Sequence, residues 1–376
     1  MIPYGRQDVS EEDIAAVVEV LRSDWLTTGP AVEKFEQDLE QWTGGVSVAA
    51  VSSGTAALHA AYFAAGIGPG DEVIAPPITF IATQATARLL GADIVFADVC
   101  EDTANIDPVS VEAHVNSRTK AIVAVDFAGH PADMEALREI ADKHGLVLIQ
   151  DAAHSLGSTY NGKPVGSLAD LTAFSFFPTK NMTSAEGGAV AAKDRQMLER
   201  ARSFARQGLE RDPEKQVIRD QGPWHQEAPI FGLNYRLPDV LASLGSSQLR
   251  RLGMFKEYRT RTKVRYDEKL ERVQKFRVPA QRANVDPVWH LYPLRVPAES
   301  RTKIFNSCRA AGIGVQVNYM PAYWHPAFDA HEYPRGLCAN AEKFYACEIS
   351  LPIHTRLTDD DQDYVIDVLL RESGNL

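Results

Sequence analysis

The sequence predicts an α/β protein with a large domain built on a mostly parallel central sheet and a smaller C-terminal α/β domain. Its 376 residues exceed the roughly 150 residues of a typical single domain. From about residue 46 to residue 190, short apolar runs alternate with helix-like segments, which is typical of βαβ units. The apolar runs lack polar alternation, so we expect strands that are buried on both faces of the sheet.

The predicted elements follow one another along the chain. An amphipathic helix is expected over residues 11–23, and it ends before the turn Thr27-Thr28-Gly29-Pro30. In the large domain, strands are expected at 46–51, 72–75, 93–97, 121–127, 146–150 and 171–176. A polar connector at about 205–235 leads to a long helical region over 238–271, followed by a strand at 290–296, a helix at 301–311, a strand at 315–319 and a helix after residue 359. We therefore expect the large domain to comprise residues 1–240, and the connecting helix and small domain to comprise residues 241–376.

Composition and charge argue against several kinds of partner. A formal charge of -11 and a pI of 5.4 disfavour binding to nucleic acid or to an anionic membrane. No apolar run approaches the roughly 20 residues of a membrane span, and the N-terminus lacks an export signal, so a cytoplasmic protein is expected. The cysteines lack metal-ligand spacing, as does the loop that carries His325, Asp329, His331 and Glu332, so we expect no metal site.

One segment is strongly basic, namely residues 250–277. Acidic side chains interleave with its cations at near-helical spacing, which is typical of a solvated helix face. Alternatively, one or two of these cations meet the phosphates of an anionic substrate. Both interpretations stay open from the sequence.

A small-residue turn links a predicted strand to an alanine-rich helix at residues 51–58, which read VSSGTAAL. Backbone N–H groups and the dipole at such a helix start bind phosphate, and Ser and Thr hydroxyl groups add donors. The same Ser-Gly-Thr pattern also serves as an ordinary helix cap. The turn alone does not distinguish a phosphate site from an ordinary helix cap.

An aspartate and a lysine follow two later strands of the predicted sheet. Asp151 ends the apolar run 146–150 and precedes Ala152-Ala153-His154, and Lys180 lies beyond the strand at 171–176. Ligands of open α/β sheets gather at the carboxyl ends of the strands. Pyridoxal phosphate requires a lysine for a Schiff base and an acidic group that keeps its pyridine nitrogen protonated. Taken singly, Asp151 could cap a helix and Lys180 could be solvated, but their order after the phosphate turn favours a cofactor site.

With several other motifs, these residues resemble the sugar-nucleotide aminotransferases of the DegT/DnrJ/EryC1/StrS family over nearly the whole chain. The matching segments are 25–30, 53–58, Thr79-Phe80, 151–154, Ser175-Phe176, Lys180, 186–188, 234–237 and 314–321. The resemblance implies the type I fold of aspartate aminotransferase. It also implies the cofactor pyridoxal 5'-phosphate, which is converted to pyridoxamine 5'-phosphate during the reaction.

The resemblance further implies a role for each matching residue around the cofactor. Lys180 would hold the cofactor covalently and shuttle a proton, Asp151 would keep its pyridine nitrogen protonated, and His154 would face its phenolic oxygen. The remaining implied cofactor contacts are Phe80 on the ring face, with Gly54, Thr55 and Ser175 at the phosphate.

The resemblance also implies an assembly and a substrate side. Asn234 would reach the cofactor phosphate of a partner chain, which implies a homodimer with shared active sites. The implied substrate contacts are Thr28, Glu186, Arg236 and Tyr319. This chain departs from the family pattern at Phe177 and Asn318, where relatives often have histidine.

The implied activity is transfer of an amino group from L-glutamate to a keto sugar attached to a nucleoside diphosphate. Residues 177–181 resemble enzymes that act at C3 of the sugar, whereas residues 26–30, 185–188 and 234–237 resemble those that act at C4. We favour C4 of a 4-keto-6-deoxyhexose, which would give a 4-amino sugar. The alternatives are a 3-keto sugar aminotransferase and a non-catalytic regulatory relative. A dehydratase of the same family is disfavoured because those enzymes have histidine at the position of Lys180.

Overall fold

The computed structural model describes residues 1–374. Within this range the α-helices are α1 (Glu11–Leu21), α2 (Pro30–Trp42), α3 (Gly54–Ala64), α4 (Ala82–Leu89), α5 (Pro108–His114), α6 (Met134–His144), α7 (Arg195–Ala205), α8 (Asp239–Leu249), α9 (Leu252–Leu270), α10 (Arg301–Ala310), α11 (Ala339–Cys347) and α12 (Asp359–Ser373). The strands are β1 (Val48–Val51), β2 (Glu72–Ala75), β3 (Asp93–Phe96), β4 (Thr119–Val125), β5 (Val147–Asp151), β6 (Thr159–Tyr160), β7 (Lys163–Pro164), β8 (Leu171–Ser175), β9 (Gly188–Ala192), β10 (Val285–Asp286), β11 (Tyr292–Arg295) and β12 (Glu348–Leu351).

Within the described range, a seven-stranded sheet organises the first half of the chain, in the order β1-β9-β8-β5-β4-β2-β3. All neighbouring pairs from β8 to β3 are parallel, whereas β9 runs antiparallel to both β8 and β1. The predicted α/β class with a mostly parallel sheet is therefore confirmed. Parallel strands place their carboxyl ends at one edge, which is where β5 and β8 deliver Asp151 and Ser175.

Helices cover both faces of this sheet, as the unbroken apolar runs predict. On one face, alternate strand residues such as Ala173 and Val190 join a core with α3 and α7. On the other face, Phe174 and Ala189 join a core with α2 and α8, and Leu148 joins a core with α6. The sheet is thus the middle layer of three, and the helices on both faces hold its strand ends in place.

The last third of the chain contains the antiparallel pair β11–β12 with its own apolar core. That core includes residues of α9, α10 and α12, for example Tyr266, Ile304 and Val365. The predicted boundary between residues 240 and 241 falls inside α8, and the division into two domains stays a prediction.

The structure corrects the sequence prediction at several elements. The region 238–271 is two helices, α8 and α9, which separate at Arg250-Arg251. Residues 315–319 form no strand and pair only through an isolated bridge between Gln316 and Ser350. The helix α2 and the strand β9 are additional. β9 reads GAVAA, whose small residues give a weak strand signal.

Among residues 1–374, no helix is both long enough and apolar enough to cross a membrane.

Candidate functional site

Asp151 is a buried carboxylate at the end of the central strand β5. Its Oδ2 accepts a hydrogen bond of 2.7 Å from the Thr83 hydroxyl, and its Oδ1 accepts one of 3.2 Å from the Ala153 N–H. Burial raises the pKa of Asp151, and the Thr83 hydrogen bond partly opposes that rise. A buried anion of this kind is stabilised by any cation brought to it.

Lys180 lies in the segment that connects β8 to β9, and its side chain is partly buried. Its backbone N–H donates to the Phe177 carbonyl at 2.9 Å, which fixes the turn that carries it. Burial lowers the pKa of Lys180 to about 8, against the opposing attraction of Asp151. The amine is therefore half neutral near pH 8, where a lysine in water would be almost fully charged.

His154 is held between two rings and a backbone anchor. Its ring lies 4.2 Å from the His290 ring, centroid to centroid, and its Nε2 is 3.3 Å from the Tyr319 hydroxyl. The Asn181 side chain donates to the His154 carbonyl at 2.7 Å. Burial lowers the pKa of His154, and the Lys180 charge adds to the effect. His154 is therefore a neutral imidazole, and its buried Nδ1 has no hydrogen-bond partner within residues 1–374.

A small-residue cradle lies beside these groups, where β1 ends and α3 begins. A Cβ atom at Gly54 would lie 2.7 Å from the Ser175 Cβ, so only glycine permits this close approach. Ser53 caps α3 by accepting from the Ala56 N–H at 3.1 Å, as the cap interpretation expects. Thr55 is exposed on the first turn. The remaining N–H groups of the helix start, with Thr55 and Ser175, form a donor set suited to a phosphate.

Two aromatic side chains from different segments lie beside the buried site residues: Phe80 next to Thr83, and Tyr319 next to His154. Phe80 is 59% exposed, and its ring meets the Tyr319 ring edge-on at 6.3 Å between centroids. The exposed ring face is available to a planar ligand. The Phe80 carbonyl accepts from the Thr83 backbone N–H at 3.2 Å, which ties the Phe80 turn to the residue that holds Asp151.

The other predicted contacts lie on exposed or half-buried loops. Thr28 and Glu186 are exposed, and the Thr28 hydroxyl donates to the neighbouring Thr27 carbonyl at 2.7 Å. Arg236 pairs with Val51 through a backbone bridge and donates to Gln207 at 3.1 Å. Asn234 is exposed and pairs with Arg206 through a backbone bridge. The structure therefore brings together Lys180, Asp151, His154, Tyr319, Phe80, Gly54 and Ser175, and leaves these four at the periphery.

Asn318, one of the two departures from the family pattern, is turned into a buried polar network. Its side-chain amide donates to the Tyr4 hydroxyl at 2.6 Å and to the Ser350 hydroxyl at 3.0 Å. Its backbone N–H donates to Glu348 at 2.7 Å. Burial raises the pKa of Glu348 to about 8. The network fixes the segment that presents Tyr319 to His154.

Three residues of the site were not found by sequence reasoning, namely Thr83, His290 and Asn181. Thr83 and His290 act through partners that lie 68 and about 136 positions away in the chain, so no local pattern could reveal them. Asn181 follows Lys180 directly, but its contact with the His154 carbonyl depends on how the loop returns to β5.

The arrangement fits pyridoxal phosphate on three independent features. The Gly54–Ser175 approach leaves helix N–H groups open for a phosphate, and Asp151 is a buried carboxylate that a protonated pyridine nitrogen would compensate. Lys180 supplies an amine whose lowered pKa favours attack on an aldehyde. Within residues 1–374, no group of three or more His, Cys, Asp or Glu side chains is arranged to hold a metal ion.

Comparison with known proteins gives consistent matches over the whole chain. Residues 7–370 match the model of the DegT/DnrJ/EryC1/StrS aminotransferase family. The chain is 36% identical to the spore coat polysaccharide biosynthesis protein SpsC of Bacillus subtilis, over 98% of this chain and 96% of that protein. It is 35% identical to the UDP-4-amino-4,6-dideoxy-N-acetyl-beta-L-altrosamine transaminase of Campylobacter jejuni, with the same two coverages.

A solved structure extends the match to three dimensions. The putative sugar aminotransferase of Streptococcus pneumoniae in its PMP form superposes with a TM-score of 0.92 at 31% identity, covering 100% of both chains. Its PLP form gives a TM-score of 0.91 and covers 100% of this chain and 99% of that chain.

Proposed function

The chain belongs to the DegT/DnrJ/EryC1/StrS aminotransferase family, and on that premise we propose that it transfers an amino group from L-glutamate to C4 of a nucleoside-diphosphate 4-keto-6-deoxyhexose. The observation that carries the proposal is the convergence of Lys180, Asp151 and His154 beside the Gly54–Ser175 cradle. Pyridoxal phosphate, when bound there, supplies the electron sink for both half-reactions.

Some of these residues bind the cofactor, and others transfer protons. Lys180 is the covalent anchor and, once released, the base that moves a proton to and from the substrate carbon, because its lowered pKa provides neutral amine near pH 8. Asp151 provides the negative charge for a pyridinium, and Thr83 holds its carboxylate in place. His154 stays neutral and, through the Tyr319 hydroxyl, links the cofactor side to the substrate side.

The choice of C4 rests on sequence segments and on one relative. Residues 26–30, 185–188 and 234–237 resemble enzymes that act at C4, and the Campylobacter jejuni relative is named as a transaminase of a 4-amino-4,6-dideoxy sugar. Amination at C3 is the second candidate because residues 177–181 resemble enzymes of that class. The cytoplasmic location and the glutamate donor stay predictions.

Product analysis tests the proposal directly. The enzyme is incubated with pyridoxal phosphate, L-glutamate and either a UDP- or a dTDP-4-keto-6-deoxyhexose, and the sugar product is identified by NMR. We expect an amine at C4 together with one 2-oxoglutarate released per amino sugar. An amine at C3 would refute the position, and 2-oxoglutarate formation without any amino sugar would refute the acceptor class.

We also propose a homodimer in which Asn234 of one chain completes the phosphate site of the other. Asn234 is exposed, and the segment before it exposes large apolar side chains, with Trp224 at 80% and Phe231 at 97%. Exposed apolar groups of this size are typical of a surface that a partner covers.

Mixed dimers test this assembly. Lys180→Ala and Asn234→Ala chains are each assayed alone and then after mixing and subunit exchange. If Asn234 acts in the partner's site, the mixture regains activity above the sum of its parents, because one site of each mixed dimer has both residues. If Asn234 acts in its own site, mixing restores nothing.

A further inference from the structure

The basic segment 250–277 ends at a cavity that the candidate active site does not use. The cavity has a volume of about 340 Å³. Four cationic side chains line it, from three separate segments, against one carboxylate: Lys275, Arg277, Arg295 and Lys343, with Glu101. Its size lies in the range of pockets that bind small molecules. In a chain with a formal charge of -11, such a concentration of positive charge calls for a local cause.

Two of these cations face each other directly. Arg277 and Arg295 are partners in an isolated antiparallel bridge, with backbone hydrogen bonds of 2.9 Å in both directions. Like charges at directly opposed positions destabilise a strand pair. The Arg277 charge acts against the Arg295 charge, and an anion bound near both would relieve this repulsion.

The hydrogen bonds of both guanidinium groups go to neutral backbone carbonyls. Arg277 donates to the Gln274 carbonyl at 2.6 Å and to the Phe276 carbonyl at 2.9 Å, and Arg295 donates to the Glu101 carbonyl at 2.6 Å. These contacts orient the groups. Burial lowers the pKa of Arg295, although the carboxylates of Glu101 and Asp102 attract its charge and partly offset the effect. An anion with several oxygens satisfies such pairs of arginines best, because each guanidinium offers parallel N–H donors.

The one carboxylate that lines the cavity, Glu101, forms a solvent-exposed ion pair. Glu101 pairs with Lys343 at 2.6 Å, but both side chains are more than 60% exposed. Exposed ion pairs contribute little stability, so this pair can open when a stronger anion arrives. The rest of the lining includes Phe344 and Val296, which offer apolar surface to an organic group.

We propose that this cavity binds a small phosphorylated ligand, with Arg277 and Arg295 holding a phosphate and the apolar wall contacting its organic part. This site is separate from the proposed active site, because none of the residues assigned to cofactor or sugar lines it. The proposal does not rest on the proposed function.

Calorimetric titration of the cofactor-loaded enzyme with inorganic pyrophosphate at low salt tests the proposal. We expect a saturable component whose affinity falls at least tenfold in Arg277→Gln and in Arg295→Gln. The matched control is Arg272→Gln, which removes one charge from the same basic segment outside the cavity and should retain the wild-type affinity. Binding at the active site would appear as a component that all three variants keep.

Two results would overturn the proposal. If pyrophosphate binding is the same in wild type and both cavity variants, the arginines hold no anion. If Arg272→Gln weakens binding as much as the cavity variants do, the attraction is diffuse charge and not a site. Amino transfer and thermal unfolding of each variant serve as checks on folding, and Lys343→Met carries the test if an arginine variant fails to fold.

Discussion

The two sides of the candidate active site are built very differently. On the cofactor side, Asp151 and His154 are buried, and each has contacts from at least two other segments. On the proposed substrate side, Thr28 and Glu186 are exposed on loops, and the Arg236 side chain donates to Gln207. If the proposed roles hold, the folded core fixes the groups that perform the chemistry, whereas the groups that select the sugar lie on segments that can change without disturbing that core.

The largest effect is expected at the covalent anchor. Lys180→Ala should lose at least about 10⁴-fold in turnover, because it removes the proton-transfer base together with the anchor. After borohydride treatment, mass spectrometry should find cofactor attached to the wild-type chain and none attached to the variant. Lys193→Ala, which removes an exposed lysine directly after the next strand, β9, is the control and should keep both properties. Cofactor attachment in Lys180→Ala would place the anchor elsewhere.

A smaller effect, confined to one substrate, is expected on the exposed side. Arg236→Gln should raise KM for the sugar nucleotide about 10- to 100-fold, since a hydrogen bond to a charged group contributes about 1.5–3 kcal/mol. The glutamate half-reaction, followed by the cofactor spectrum, should stay unchanged, and so should the unfolding temperature. Arg211→Gln, an exposed arginine of the same region, is the matched control. Equal losses in both half-reactions would assign Arg236 to the cofactor side.

A change of pH dependence is expected from the support of Asp151. Thr83→Val removes the hydroxyl that lowers the pKa of this carboxyl, so that pKa rises further. Protonation of Asp151 then sets in at higher pH, and the acid limb of the rate profile should move upward, with a loss of about tenfold or less at its plateau. Thr86→Val, which removes a buried hydroxyl from the same helix, should leave the profile in place. Thr83→Ser, which keeps the hydroxyl that donates to Asp151, should also leave the rate profile in place.

The smallest effect on activity is expected at the network behind Tyr319, where the quantity to measure is the free energy of unfolding. The pKa of Glu348 is raised to about 8 from an ordinary value of 4.5, so its stabilising contribution is complete below pH 4.5 and is lost as pH rises to about 8. Glu348→Gln should therefore gain stability relative to wild type between pH 5 and pH 8.5, by about 2 kcal/mol or more. Urea unfolding at both pH values measures this, and an equal difference at the two would contradict it.

The same contrast explains what the sequence could predict. The parallel strands, the phosphate turn and the order of Asp151 and Lys180 follow from local patterns, since strand periodicity and glycine placement are written in a few neighbouring residues. The partners Thr83 and His290 do not, because each contact joins residues that only the sheet order brings together. The identity of the sugar is harder still to predict, since two of its predicted contacts, Thr28 and Glu186, lie on exposed loops.

The antiparallel strand β9 has a consequence for folding. It is the only strand of the described residues that pairs with β1, and its Gly188 lies in register with Val51 on one side and with Ser175 on the other. The Gly54–Ser175 cradle therefore does not exist until residues near 188 have been inserted between strands that are distant in the chain. Pairing between strands that are distant in the chain is intrinsically slow. If the cofactor phosphate binds in the cradle as proposed, it favours the completed sheet by mass action, so cofactor supply should raise the fraction of newly made chain that reaches the native state.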